Sequence, residues 1–115
     1  MTHEEKLETL RGVSELADYG LEQLRSVVAY FDEVCVPTGT TLAEQGRLCH
    51  EFVVVASGEI ESLASGRKTL HGPGCAFGWK AMRERAAHDA TVSAIGPAHL
   101  LVMGHSQFRA AAGLR

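Results

Sequence analysis

Apolar residues in the first 30 positions recur three and four apart: Leu7, Leu10 and Val13, then Leu21, Leu24, Val27, Val28 and Phe31. That spacing gathers them on one face of a helix, so segment 1–30 is expected to be helical, with a stripe that packs on the rest of the chain. Gly20 divides it into two helices. Asp18 is the expected N-cap of the second, and Glu22 lies near its positive end. At Phe31 the period falls to two, in Phe31-Asp32-Glu33-Val34-Cys35-Val36, and Pro37-Thr38-Gly39 ends this first strand by removing a donor and allowing a positive φ. Further short strands are expected at 41–44, 51–56, 59–64, 67–71, 88–94 and 99–103, with turns at Gln45-Gly46, Ser57-Gly58, Ser65-Gly66, Gly72-Pro73-Gly74 and Gly96-Pro97. Segment 77–83 lacks alternation and predicts one short helix. The alanine-rich tail 106–114, anchored by Phe108, predicts a last helix capped by Ser106.

Helices at both ends of about eight short strands, without βαβ alternation, predict a mainly β (α+β) fold. The expected architecture is an antiparallel double-stranded β-helix, or jelly roll. Glycine supports it: the chain has 12 in 115 residues, seven of them from Gly39 to Gly78, as a fold that reverses direction every ~8–12 residues requires. A chain of 115 residues builds one core, so a single domain 1–115 is expected, helical over 1–30, a β-roll over 31–104 and a terminal helix over 105–115. Such a roll encloses space between its sheets, which is where a small-ligand pocket belongs.

Charge narrows the partners. Eleven Lys and Arg against 14 Asp and Glu give a formal charge of −3, which disfavours nucleic acid. No apolar run approaches the ~18–20 residues of a membrane span, and the polar, acidic start is unlike a signal peptide; a cytoplasmic protein is expected. Cys35, Cys49 and Cys75 leave room for one bridge, but buried reduced thiols are the reading that suits that compartment. Nothing cationic lies beside Cys75 to activate it. The six histidines show no metal-ligand spacing, and no metal is expected. His50 and His71 are expected at strand ends, in solvent.

Four motifs in order resemble the cyclic nucleotide-binding domain family of catabolite-activator factors, kinase regulatory subunits and gated channels. They are Val36-Pro37-Thr38-Gly39-Thr40-Thr41-Leu42 with Glu44-Gln45-Gly46; Phe52-Val53-Val54-Val55-Ala56-Ser57-Gly58-Glu59-Ile60; Gly72-Pro73-Gly74-Cys75-Ala76-Phe77-Gly78; and Ala90-Thr91-Val92-Ser93-Ala94. The resemblance runs from about residue 10 to residue 108. It implies that Gly72 to Ala94 hold a phosphate-binding cassette, with Phe77, Gly78, Trp79, Lys80, Ala81, His88, Asp89, Ala90 and Thr91 around the ligand pocket. In members that bind cyclic nucleotide, a glutamate after the Phe-Gly pair accepts a ribose hydroxyl, and an arginine about nine residues later pairs with the phosphate. Here those positions are Trp79 and His88, and Asp89 follows.

Each hydrogen bond to a charged group contributes about 1.5–3 kcal/mol, so losing two costs roughly 3–6 kcal/mol, on the order of 10² to 10⁴ in affinity. Asp89 adds repulsion, while it should raise the pKa of His88. Trp79 is expected to fill the ribose position from within, and Arg83 and Arg85 are the candidate substitute cations. The function expected is a non-enzymatic regulatory or accessory domain, without cofactor, that does not bind cAMP or cGMP in the family's way. It would act through a protein partner or a second copy. The chain ends at Arg115, seven residues past Phe108, so no output helix or DNA-binding domain is expected. The alternative is a sensor of a divergent small ligand that stacks on Trp79. A more remote one is a cupin-like enzyme, since cupins share the jelly roll and Glu51 and Gly58 fit part of their metal motif, but residues 44–48 carry no histidine.

Overall fold

The computed structural model describes residues 1–113. Helix α1 (His3–Arg11) begins in a reciprocal cap, with the Glu5 N–H donating to Thr2 Oγ1 at 3.1 Å and the Thr2 N–H donating to Glu5 Oε1 at 2.9 Å. A 3₁₀ turn (Ser14–Leu16) leads to α2 (Leu21–Val28). The N-cap of α2 is Gly20 and not Asp18; the Gly20 N–H donates to the Gln23 side chain at 2.6 Å, so the cap is made from inside the helix.

Eight strands follow: β1 (Asp32–Val36), β2 (Thr41–Ala43), β3 (Phe52–Ser57), β4 (Ile60–Ala64), β5 (Arg67–His71), β6 (Ala76–Phe77), β7 (Thr91–Ala94) and β8 (Ala98–Met103). They form two four-stranded sheets, ordered β1-β8-β3-β6 and β2-β7-β4-β5, with every pairing antiparallel. This is the jelly roll expected from the alternation of turns and strands. Differences are local. Strand β6 is too short for its periodicity to register, and pairing with β3 defines it, through Val53↔Phe77 and Val54↔Ala76. The strand expected from residue 88 begins only at Thr91, because His88 is held in an isolated bridge to Gln45. Helix α3 spans Trp79–Glu84 and α4 spans His105–Ala112. Gly104 caps α4, and Ser106 lies within its first turn; Leu114 lies outside the described residues.

The faces of β3 divide the core. Phe52 and Val54 turn to a helical layer containing Leu7, Leu10, Val13, Leu16, Leu24 and Val27. Val53 and Val55 turn the other way, into the space between the sheets, against Ile60, Val92, Ala94, Leu100 and Val102. Both faces of β3 are therefore buried, which explains why Phe52-Val53-Val54-Val55 reads as an unbroken apolar run. All three cysteines are free thiols, but Cys35 is exposed on β1, whereas Cys49 is buried. The expectation of buried thiols fails for Cys35 because β1 is an edge strand exposed over residues 32–35.

Gly58, at φ +89°, turns β3 into β4, and a Cβ there would meet the Pro97 carbonyl oxygen at 2.5 Å. The hairpin can be this tight only without a side chain.

Candidate functional site

Gly78 connects β6 to α3 at φ +97°, and a Cβ on it would stand 2.5 Å from the Glu51 carbonyl oxygen. The start of α3 is thus pressed against the chain entering β3. Trp79, Lys80 and Ala81 form its first turn, and as the first residues of a helix their N–H groups have no acceptor within it. Beyond α3, Arg85 takes the left-handed conformation, at φ 52°. The Ala86 N–H returns to Ala81 O at 2.8 Å. Segment 86–91 is then laced to the loop before β3: Cys49 N–H donates to Ala86 O at 3.1 Å, His88 N–H to Arg47 O at 2.9 Å and Gly46 N–H to His88 O at 2.9 Å. Gln45 N–H completes the series on Thr91 Oγ1 at 3.1 Å.

Between α3, segment 86–90 and sheet β2-β7-β4-β5 lies a cavity of about 510 Å³. Its walls include Phe77, Gly78, Trp79, Lys80 and Ala81 on one side, and His88, Asp89 and Ala90 on another. Ser62 and His71 supply polar groups from β4 and β5, with Ser62 Oγ 3.0 Å from His71 Nε2. Three carboxylates, Glu15, Glu84 and Asp89, border the space, and among the described residues Lys80 is its one lysine or arginine. Carboxylates thus outnumber lysine and arginine around the cavity.

A cyclic nucleotide-binding domain model matches residues 33–113, well over half of the chain. The chain belongs to the cyclic nucleotide-binding domain family. Among solved structures it is similar to the regulatory domain of Toxoplasma gondii PKA with cAMP, at 26% identity and a TM-score of 0.84 over 95% of this chain and 44% of that one. It is also similar to the regulatory subunit of a cAMP-independent protein kinase A from Trypanosoma brucei, at 17% identity and TM-score 0.85, over 93% of this chain and 40% of that one. The corresponding subunit from Trypanosoma cruzi, bound to guanosine, gives 16% identity and TM-score 0.84, over 93% and 39%. The chain thus spans less than half the length of these solved relatives. No curated protein matches the sequence. The family match sets aside the cupin-like reading.

Within this cyclic nucleotide-binding fold, Phe77, Gly78, Trp79, Lys80, Ala81, His88, Asp89 and Ala90 come together around the cavity, while Thr91 stands beside it as a backbone clasp. Three expectations change. Trp79 borders the cavity, yet its ring does not fill it: the ring lies in the helical core, edge-on to Phe108 at 4.8 Å, Phe52 at 5.0 Å and Tyr19 at 6.4 Å. Burying so large an apolar surface against other rings outweighs leaving it in a polar cavity. Arg83 and Arg85 are not substitute cations either, because both line a separate groove on the other side of α3, with Leu48 and Phe108. Finally, the pKa of His88 is lowered, not raised: burial disfavours its charged form, and His50 adds to this, outweighing the pull of Asp89.

His71, expected in solvent, is a cavity residue, and Ser62, Glu15 and Glu84 line the cavity without belonging to any sequence motif. The signal for β4 was present: inward Ile60 and Ser62 share parity, and the register Ile60↔His71 brings His71 to that face. Burial pushes the Cys75 thiol up, with Glu15 adding to the effect. Cys49 shifts the same way, again by burial first, while its Sγ–H donates to Glu51 O at 3.2 Å. Neither environment activates a thiolate.

Proposed function

We propose that this is a non-enzymatic regulatory domain of the cyclic nucleotide-binding type that has lost its anion clamp and acts through a protein partner. The observation that carries this reading is the cavity's charge: Glu15, Glu84 and Asp89 against Lys80, with His88 favoured neutral and the two nearby arginines facing away. A cyclic monophosphate entering there meets carboxylates where the family supplies a guanidinium. The cAMP-independent kinase subunit of Trypanosoma brucei supports the idea that this fold is used without cAMP. Candidate pocket residues are those around the cavity, Lys80, His88 and Asp89 foremost.

The test is isothermal calorimetry with cAMP and cGMP. Neither should bind at low micromolar concentration; the missing pair of charge-assisted bonds corresponds to roughly 3–6 kcal/mol. Low-micromolar binding of either would defeat the reading.

A second reading is a sensor of an uncharged ligand such as a nucleoside. The Ser62–His71 pair favours it, since it offers neutral donors and acceptors between the carboxylates, and the Trypanosoma cruzi relative holds guanosine. Guanosine in the same calorimetric series distinguishes the two. A cytoplasmic location accords with three free thiols; among the described residues no helix is long and apolar enough to cross a membrane.

A further inference from the structure

We infer that the groove between α3 and α4 is a docking site for an acidic amphipathic segment of a partner protein, one that inserts an apolar side chain between flanking carboxylates. The inference rests on the regulatory reading above and names the surface that would engage the partner. The groove encloses about 500 Å³. Met82 and Phe108 floor it, both buried, and Leu48 stands at its edge with half its surface exposed. Around this apolar floor stand Arg83, Arg85 and Arg109, with His105 beside them.

Two features mark this basic rim. Arg11, Arg25 and Arg47 each pair with a glutamate, at 3.5, 3.0 and 3.0 Å, and Arg67, on β5, is the one other described arginine without such a partner. Among the described residues no carboxylate lies within ion-pair distance of Arg83, Arg85 or Arg109, although the chain as a whole carries a net charge of −3. Three unsatisfied guanidinium groups around one concavity are complementary to carboxylates. The second feature is Arg85 itself. It closes α3 at φ 52°, a conformation that glycine adopts freely and a side-chain-bearing residue does not. Arg85 thus brings its guanidinium to the rim from a conformation that costs a side-chain-bearing residue energy.

Charge alone would suit a nucleic acid, but a polyanion tracks phosphates along an open surface and has no use for a pit floored by Met82 and Phe108. An apolar anchor ringed by charge-assisted contacts fits how a groove takes an amphipathic helix.

The probe is a fluorescein-labelled helical peptide with leucine and phenylalanine on one face and glutamates beside them. Controls are a scrambled peptide of the same composition and a version with lysine for glutamate, all read by fluorescence anisotropy. The acidic amphipathic peptide should bind, with backbone amide shifts centred on Leu48, Met82 and Phe108. Arg83→Glu with Arg109→Glu should weaken it by about tenfold or more, as should raised salt. Arg85→Gly should leave the fold as stable or more so while weakening the peptide, a combination that a purely structural Arg85 would not give. Equal binding of the scrambled or lysine peptide, shifts elsewhere, or indifference to the arginine substitutions would overturn the inference. So would self-association lost in the arginine variants, or preference for a single-stranded oligonucleotide. Calorimetry with cAMP is independent of all this: tight cAMP binding with intact peptide docking fails the functional reading alone, and absent docking without cAMP binding fails only the groove.

Discussion

At Gly78 two constraints coincide, a left-handed φ and a backbone oxygen where a Cβ would sit. Gly78→Ala should therefore destabilise the domain by about 1–3 kcal/mol, read from urea unfolding. At His88 and Asp89 the chemistry is adjustable: His88→Arg with Asp89→Ala restores a guanidinium and removes a repelling carboxylate. The double variant should gain roughly 10- to 100-fold in cAMP affinity by calorimetry, the worth of about one charge-assisted contact. Glu33 is the clearest titrating group. The Met1 ammonium, then His99, with Lys6, hold its carboxyl at about 2 against an ordinary 4.5. A depressed carboxylate contributes stability above its unfolded pKa and loses it as pH falls through the folded one. Stability should thus decline from pH ~4.5 towards ~2, and Glu33→Gln should flatten that part of the acid titration. Much of this chemistry was legible. The glycines declared their turns, and Trp79, His88 and Asp89, which border the cavity, stood out in sequence. The direction of the His88 shift was not, because neighbours in sequence reveal Asp89 but not the burial that outweighs it.

At the scale of elements, α3 shows what a helix of six residues conceals and what it discloses. Lys80, Ala81 and Glu84 lie at i, i+1 and i+4 and line the cavity; Met82 and Arg83 turn to the groove, and Trp79 borders the cavity from the helical core. Arg83 neighbours both Trp79 and Lys80 in helical phase, so phase alone does not assign it, and the packing of α3 beside α4 does. Arg85 falls past the helix, where a left-handed residue sets the direction and no periodicity applies. Strand β6 was hidden for a different reason, since two residues cannot display a period. Trp79→Ala should cost about 3–5 kcal/mol of stability in denaturant unfolding, and should not open room for a nucleotide, because the ring it removes belongs to the helical core.

For the molecule as a whole, β3 and β8 form the shared wall. They are adjacent in one sheet, one face against the helices and the other against the second sheet. Amides of Val54, Val55, Leu100 and Leu101 should be the slowest to exchange with deuterium, opening only with global unfolding, while β5 at the far edge exchanges early. The overall architecture was readable from period and punctuation because strands buried on one or two faces write that difference directly into sequence. The assignment of side chains to cavity or groove depends on contacts between distant segments, such as the lacing of 86–91 to 45–49, which no local window contains.

Trp79 stands in the partition between the cavity and the groove: it borders the first and packs on Phe108, which floors the second. It is also the chain's one tryptophan. The protein therefore carries its own optical probe at the boundary. Occupation of either compartment that shifts α3 against α4 changes the ring's apolar surroundings, and a change in its emission wavelength would report the event without any label.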